Sequence, residues 1–164
     1  SEVTDVTLVS GDIIKATGSF PSGRNFIIRQ ISKVFGVPIE VAQSHLSMYN
    51  SQKLDKETSV EIEKVINDIE KEWSIYLEKT LVDIADGEHL PSRVYMTSDT
   101  DVSEIYSYFL RTPKADATST FRKNVEIMYL DSELLGQLYK NESAFPPNEF
   151  VVVLAIFYDK FLNN

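Results

Sequence analysis

The sequence predicts an α/β fold: a mixed β-sheet opened by a β-hairpin, with helices packed on its faces. Three observations carry that expectation. Two β-branched runs, Thr4 to Val9 and Ile13 to Phe20, flank Ser10-Gly11-Asp12, which supplies turn chemistry, so they read as the hairpin. From about Asp55 to Ala85 the apolar residues Ile62, Val65, Ile66, Ile69, Trp73, Tyr76, Leu77, Leu81 and Ile84 recur at three- and four-residue steps, the spacing of one long amphipathic helix. Strand, polar loop and helix then alternate, first from Arg93 and again from Val125, which is the α/β order.

The elements follow in chain order. Pro21, Ser22 and Gly23 stop the hairpin, and Ser22 or Asn25 is placed to cap a helix carrying Phe26, Ile27, Ile31, Val34 and Phe35. Gly36 ends it as a C′ glycine. A second short helix follows Pro38 with Val41, Ala42, His45, Leu46 and Tyr49, and Asp86-Gly87 stops the long one. Beyond Pro91, Arg93 to Thr97 reads as a strand joining the hairpin's sheet, and Thr100 or Asp101 as the cap of a helix through Tyr106, Phe109 and Leu110. Lys114 to Thr120 reads as a loop, Val125 to Leu130 as a strand, and Asp131 or Ser132 as the cap of a helix through Leu138. Pro146-Pro147 ends the next connection, and Glu149 to Leu162 closes the chain as an apolar helix.

Composition narrows the function. The 164 residues are 43% hydrophobic and 25% charged, enough for a real core, so disordered and collagen-like classes are excluded. Sixteen Lys and Arg against 25 Asp and Glu leave a net charge of −9, which removes the positive field a sequence-blind nucleic-acid binder needs. The longest apolar run, within FVVVLAIFY, falls short of the roughly 18 to 20 residues that span a bilayer. With no cysteine there is no disulfide framework, thiolate zinc site or cysteine nucleophile, which fits a reducing cytoplasm. The N-terminus has no signal-peptide pattern and no initiator Met, so the chain reads as a piece cut from a longer protein.

Catalytic constellations are nearly absent. His45 and His89 fall in unrelated contexts without ligand-like neighbours, and no nucleophile elbow, P-loop or dinucleotide fingerprint occurs. Gly11, Gly18 and Gly23 read as turn glycines, and the charge run from Glu61 to Glu72 as a solvated helix face. The pairs Glu61 and Glu63, and Asp99 and Asp101, need only solvent.

The order of elements is more specific than any of these. A hairpin opening Thr4-Asp5-Val6-Thr7-Leu8-Val9, then Phe20-Pro21-Ser22-Gly23 and a helix, a long helix, and a strand ending in a small polar loop resembles the second lobe of the actin-like (ribonuclease H-like) ATPase superfamily. The resemblance covers most of Glu2 to Leu110 and lies nearest the branch containing the cell-division protein FtsA and the pilus-assembly protein PilM. Glu2-Val3-Thr4-Asp5 is similar to the end of the family's phosphate loop D-I-G-G-x-x-T-D, and Ile14 to Asn25 to its strand and small-residue turn, where Gly23 alone keeps the usual glycines. Thr97-Ser98-Asp99-Thr100-Asp101 aligns with the adenosine loop T-G-G-x-A/S, both of whose glycines are missing. Leu46 stands where the family's A-E-x-x-K helix has its lysine.

The resemblance therefore implies one actin-like lobe over residues 1–164, a fragment of a two-lobed protein, with a degenerate cofactor site at Thr4, Asp5, Gly23, Thr97, Ser98 and Asp99. Side chains at Ser98 and Asp99 crowd a purine or ribose and the added carboxylates repel polyphosphate, so ATP with Mg²⁺ is expected to bind weakly or not at all. The implied role is a non-catalytic cytoplasmic scaffold, peripheral to the inner membrane, that docks partners of a pilus, secretion or division machine. The alternative is half of the nucleotide cleft of an active, filament-forming ATPase whose first lobe supplies the catalytic groups. A third reading is an unrelated α/β domain with a coincidental element order. The acidic charge predicts a monomer in dilute solution and salt-sensitive binding to a basic partner segment, anchored by whichever of Tyr106, Tyr108 and Phe109 are exposed.

Overall fold

The computed structural model describes residues 1–10, 13–90, 93–112 and 126–130. Their order is β1 (Thr4–Ser10), β2 (Ile13–Phe20), α1 (Arg24–Phe35), α2 (Ile39–Asn50), α3 (Lys56–Ala85), β3 (Arg93–Met96), α4 (Ser103–Arg111) and β4 (Glu126–Tyr129). This is a mixed α/β chain. It divides into two compact units, Ser1–Pro91 with Asp99–Val125, and Ser92–Ser98 with Glu126–Asn164.

The first unit is organised by α3. Asp55 caps it, its carboxylate accepting the Thr58 N–H at 2.9 Å, and Asp86 and Gly87 end it in the left-handed region at φ 45° and 83°. Ile62, Ile66, Ile69, Trp73, Leu77, Leu81 and Ile84 form its buried stripe. The hairpin lies on that stripe. β1 and β2 pair antiparallel from Thr4↔Phe20 to Ser10↔Ile13, with a bulge at Leu8/Val9 that leaves Lys15 as the extra residue. Leu8 and Phe20 turn inward, while Asp5, Thr7, Thr17 and Ser19 are exposed, the alternation of a sheet covered on one face.

Gly18 sets how closely the hairpin meets the helix. A Cβ at this position would stand 2.6 Å from Thr80 Cγ2 and 3.1 Å from Ile84 Cγ2, so the missing side chain is what lets α3 come this near to β2. Gly18 is thus a packing glycine inside a strand, not a turn glycine.

An aromatic cluster fills the centre. Trp73, only 3% exposed, has Phe20, Tyr106 and Phe109 at ring distances of 5.8, 5.9 and 5.5 Å. The helix α4 brings Ile105, Tyr106 and Phe109 to α3, and α1 brings Ile27, Ile28 and Ile31. Ala42 and Leu46 of α2 are fully buried, and Gly36, at φ 63°, closes α1 with its N–H on the Ser32 carbonyl.

Two caps differ from the sequence expectation. The N-cap of α1 is Gly23 and that of α4 is Val102, and neither offers a side-chain bond. Ser22 and Asn25 do not cap α1, because residues before the hairpin take that place; Asp101 does not cap α4, because its carboxylate is held by Arg24.

In the second unit β3 and β4 run parallel, pairing Arg93↔Glu126 through Met96↔Tyr129. Arg93 Nε donates to Glu126 Oε2 at 3.0 Å across the first pair. This overturns the expectation that Arg93 to Thr97 joins the hairpin's sheet: among the described residues there are two separate two-stranded sheets. The reason lies in the partner, since Glu126 answers Arg93 with opposite charge and Ile127 answers Val94 with apolar surface. The expected helices of residues 131–138 and 149–162, and the loop of 114–120, lie outside the described residues.

Candidate functional site

The positions singled out by sequence fall into two groups. Thr4, Asp5, Gly23 and Asp99 belong to the first unit, Thr97 and Ser98 to the second. In the second unit the hydroxyl oxygens of Thr97 and Ser98 are buried and have no hydrogen-bond partner among the described residues.

In the first unit the site is built on the N-terminus of α1. Four N–H groups at a helix start lack intrahelical partners. Here the chain's own first residues supply acceptors: the Gly23 N–H donates to the Glu2 carbonyl at 3.1 Å, the Asn25 N–H to the Ser1 carbonyl at 3.0 Å, and the Arg24 N–H to Ser1 Oγ at 3.4 Å. Residues Ser1 to Val3 lie so close that a Cβ on Gly23 would come within 2.7 Å of backbone atoms of all three. At φ −88° Gly23 is in ordinary extended conformation, so space and not backbone strain requires the glycine.

Side chains fasten the same segment. Asn25 Nδ2 and Arg29 Nη1 each donate to the Glu2 carboxylate at 2.7 Å, and these bonds, the Asn25 one foremost, hold its carboxyl below the usual carboxylate range. Thr4 Oγ1 donates to the Ser22 carbonyl at 2.8 Å and accepts from Trp73 Nε1 at 3.3 Å. Tyr106 OH donates to that same carbonyl at 3.1 Å, and burial pushes its phenol well above the usual tyrosine range. Thr4 is therefore tied into the aromatic core, while Asp5, one residue on, faces solvent on the open side of the hairpin.

The segment before α4 completes the arrangement. Asp99 Oδ2 lies 3.5 Å from the Ser1 backbone nitrogen. Asp101 takes Arg24 bidentately, with Nε at 2.9 Å from both carboxylate oxygens and Nη2 at 2.6 Å from Oδ2, and this bond holds the guanidinium above its usual range. Asn50 Nδ2, at the end of α2, donates to the Asp101 carbonyl at 2.6 Å. Thr4, Gly23 and Asp99 are thus gathered around one short stretch of backbone.

Arg24 and Asn50 are partners that sequence reasoning missed, and Glu2, which enters it only as the start of the phosphate-loop match, is a third. Their one local signal is that Arg24 follows the glycine directly, since the residues each binds lie from 23 to 77 positions away. Elsewhere, Leu46 is wholly buried, and the half-buried His45 sets its ring edge-on to Phe35 at 5.4 Å. Of the three aromatics considered as anchors, Tyr106 and Phe109 are in the core and only Tyr108 is exposed, its hydroxyl donating to Asn67 Oδ1 at 2.9 Å.

No protein-family model, curated protein or solved structure matches this chain.

Proposed function

We propose that this chain is a non-catalytic docking domain: an actin-like scaffold lobe of a cytoplasmic protein like PilM or FtsA, binding partners of a pilus, secretion or division machine at the inner membrane. The observation that carries the non-catalytic part of this reading is the engagement of Gly23, Arg24 and Asn25 by residues Ser1 and Glu2. A helix N-terminus binds phosphate through free N–H groups, and these three are already bonded. Arg24 and Arg29 are each held by a carboxylate, so neither is free to meet a phosphate. Asp99 and Asp101 add negative charge beside them. Leu46, at the position where the resembling family carries lysine, is spent on the core.

Titration of ATP with Mg²⁺ into the protein by calorimetry tests the reading, and no binding heat at micromolar protein is expected. Submicromolar binding would overturn it in favour of the second role, half of the nucleotide cleft of an active ATPase.

A further inference from the structure

The outward side of α3 carries a feature that neither the core nor the Gly23 network uses. Ile75 and Val82 are 68% and 52% exposed on a helix whose opposite stripe is buried. Seven residues apart, they fall almost on one line along the helix, about 20° from each other around its axis. Residues Glu72, Ile75, Lys79, Val82 and Asp86 follow one another at steps of three and four, which is the spacing of a seam that receives a second helix.

The charges around that seam decide what fits it. Eight acidic residues and four lysines lie on α3. Lys64 and Lys71 are taken by Glu61 and Asp68, whereas Glu72, Asp83 and Asp86, and against them the single cation Lys79, form no ion pair among the described residues. The free charge beside Ile75 and Val82 is therefore mainly negative. A second copy of the chain would bring the same carboxylates and the same net −9 against them, which repels. A cationic helix is attracted.

We propose that the seam from Glu72 to Asp86 docks a short basic amphipathic helix of a partner protein, with two apolar side chains seven residues apart set beside Ile75 and Val82 and flanking lysines or arginines facing Glu72, Asp83 and Asp86. The proposal deepens the docking reading and rests on it. Apolar anchors supply the affinity and the carboxylates the orientation and the rate of encounter.

The test uses two synthetic peptides of one Leu and Lys composition, one ordered to give an amphipathic helix and one scrambled, titrated into ¹⁵N-labelled protein. The ordered peptide is expected to shift amides of residues 68–86, and to bind about tenfold more weakly to the Ile75→Ser, Val82→Ser double variant, as loss of interface anchors does. Raising salt is expected to weaken it further through screening of the carboxylates. Both substitutions are at exposed positions, so circular dichroism should show an unchanged fold. Equal binding of the scrambled peptide, unchanged binding to the double variant, or shifts confined to another face would overturn the proposal. Self-association abolished by the double variant would overturn it too, in favour of a second copy. ATP titrated into the same sample separates the two readings, because ATP binding contradicts the non-catalytic role and leaves the peptide shifts to judge the seam.

Discussion

Replacing Gly18 by alanine tests the contact on which the first unit's geometry depends. The added Cβ would meet Thr80 Cγ2 at 2.6 Å and Ile84 Cγ2 at 3.1 Å, well inside ordinary carbon contact. Forcing a methyl into packed surroundings costs about 1 to 3 kcal/mol. Against this, alanine loses less chain entropy than glycine in a strand, a gain of about 0.5 to 1 kcal/mol. The net expectation is destabilisation of about 1 to 2 kcal/mol. Thr80→Ser removes the methyl that stands in the way and alone should cost about 0.5 to 1 kcal/mol, the worth of one partly buried carbon. Combined, the two changes move a methyl from the helix to the strand, and stability should return to within about 0.5 kcal/mol of the parent. Urea titrations of the four proteins close the cycle. A coupling of about 1.5 to 3 kcal/mol is expected, several times what independent sites show. Additive effects would refute the placement of α3 against β2, because two side chains that do not meet cannot rescue one another.

Other perturbations probe the core and its ionisable groups. Trp73→Ala should cost about 3 to 5 kcal/mol, since it empties the middle of the aromatic cluster, and an unchanged denaturant midpoint would contradict the buried stripe of α3. Asp55 is held below its usual range chiefly by the Thr58 N–H, and Glu2 by Asn25 and Arg29. A carboxyl whose folded value is depressed stabilises above its unfolded value and loses that contribution as pH falls through the folded one, so stability should drop on acidification below about pH 4.5. In Asp55→Ala the acid limb of the urea midpoint against pH should be flatter, and an identical limb would remove Asp55 as a cap. Tyr106 is shifted the other way by burial, so its contribution is complete below the tyrosine range and lost as pH rises beyond it. Absorbance at the tyrosinate band should show a step that comes only as the protein unfolds in alkali, and Tyr106→Phe should reduce that step.

The parts of the fold that depend on local pattern are legible in the sequence. The period of α3, its start near Asp55, the left-handed Gly36 and the alternation of the hairpin each need only neighbours along the chain. What escapes is whatever a distant residue decides. Arg93 and Glu126 face each other across 33 positions, and nothing near Arg93 says that its strand will leave the hairpin for a parallel partner. Gly18 looks like a turn glycine because it sits near the end of a β-branched run; its purpose appears only when Thr80 and Ile84 stand over it.

The same division governs the site. Thr4, Gly23 and Asp99 come from separate short motifs, and the chain does gather them, yet through backbone bonds of Ser1 and Glu2 to the start of α1, a contact that no motif describes. A glycine before a helix has the same sequence appearance whether it makes room for a phosphate or for a strand of its own chain. The difference lies in which acceptor reaches the N–H groups first, and that depends on fastenings such as Asn25 and Arg29 to Glu2, and Thr4 to the Ser22 carbonyl. Asp101 makes the point with charge. Its place just before α4 suits a helix cap, but a cap bond to a backbone N–H competes with a bidentate bond to Arg24, and the charge-assisted pair is the stronger. Once Arg24 is taken, α4 starts without a side-chain cap, and a cation suited to an anionic ligand has instead become the fastening between α1 and the residues leading into α4.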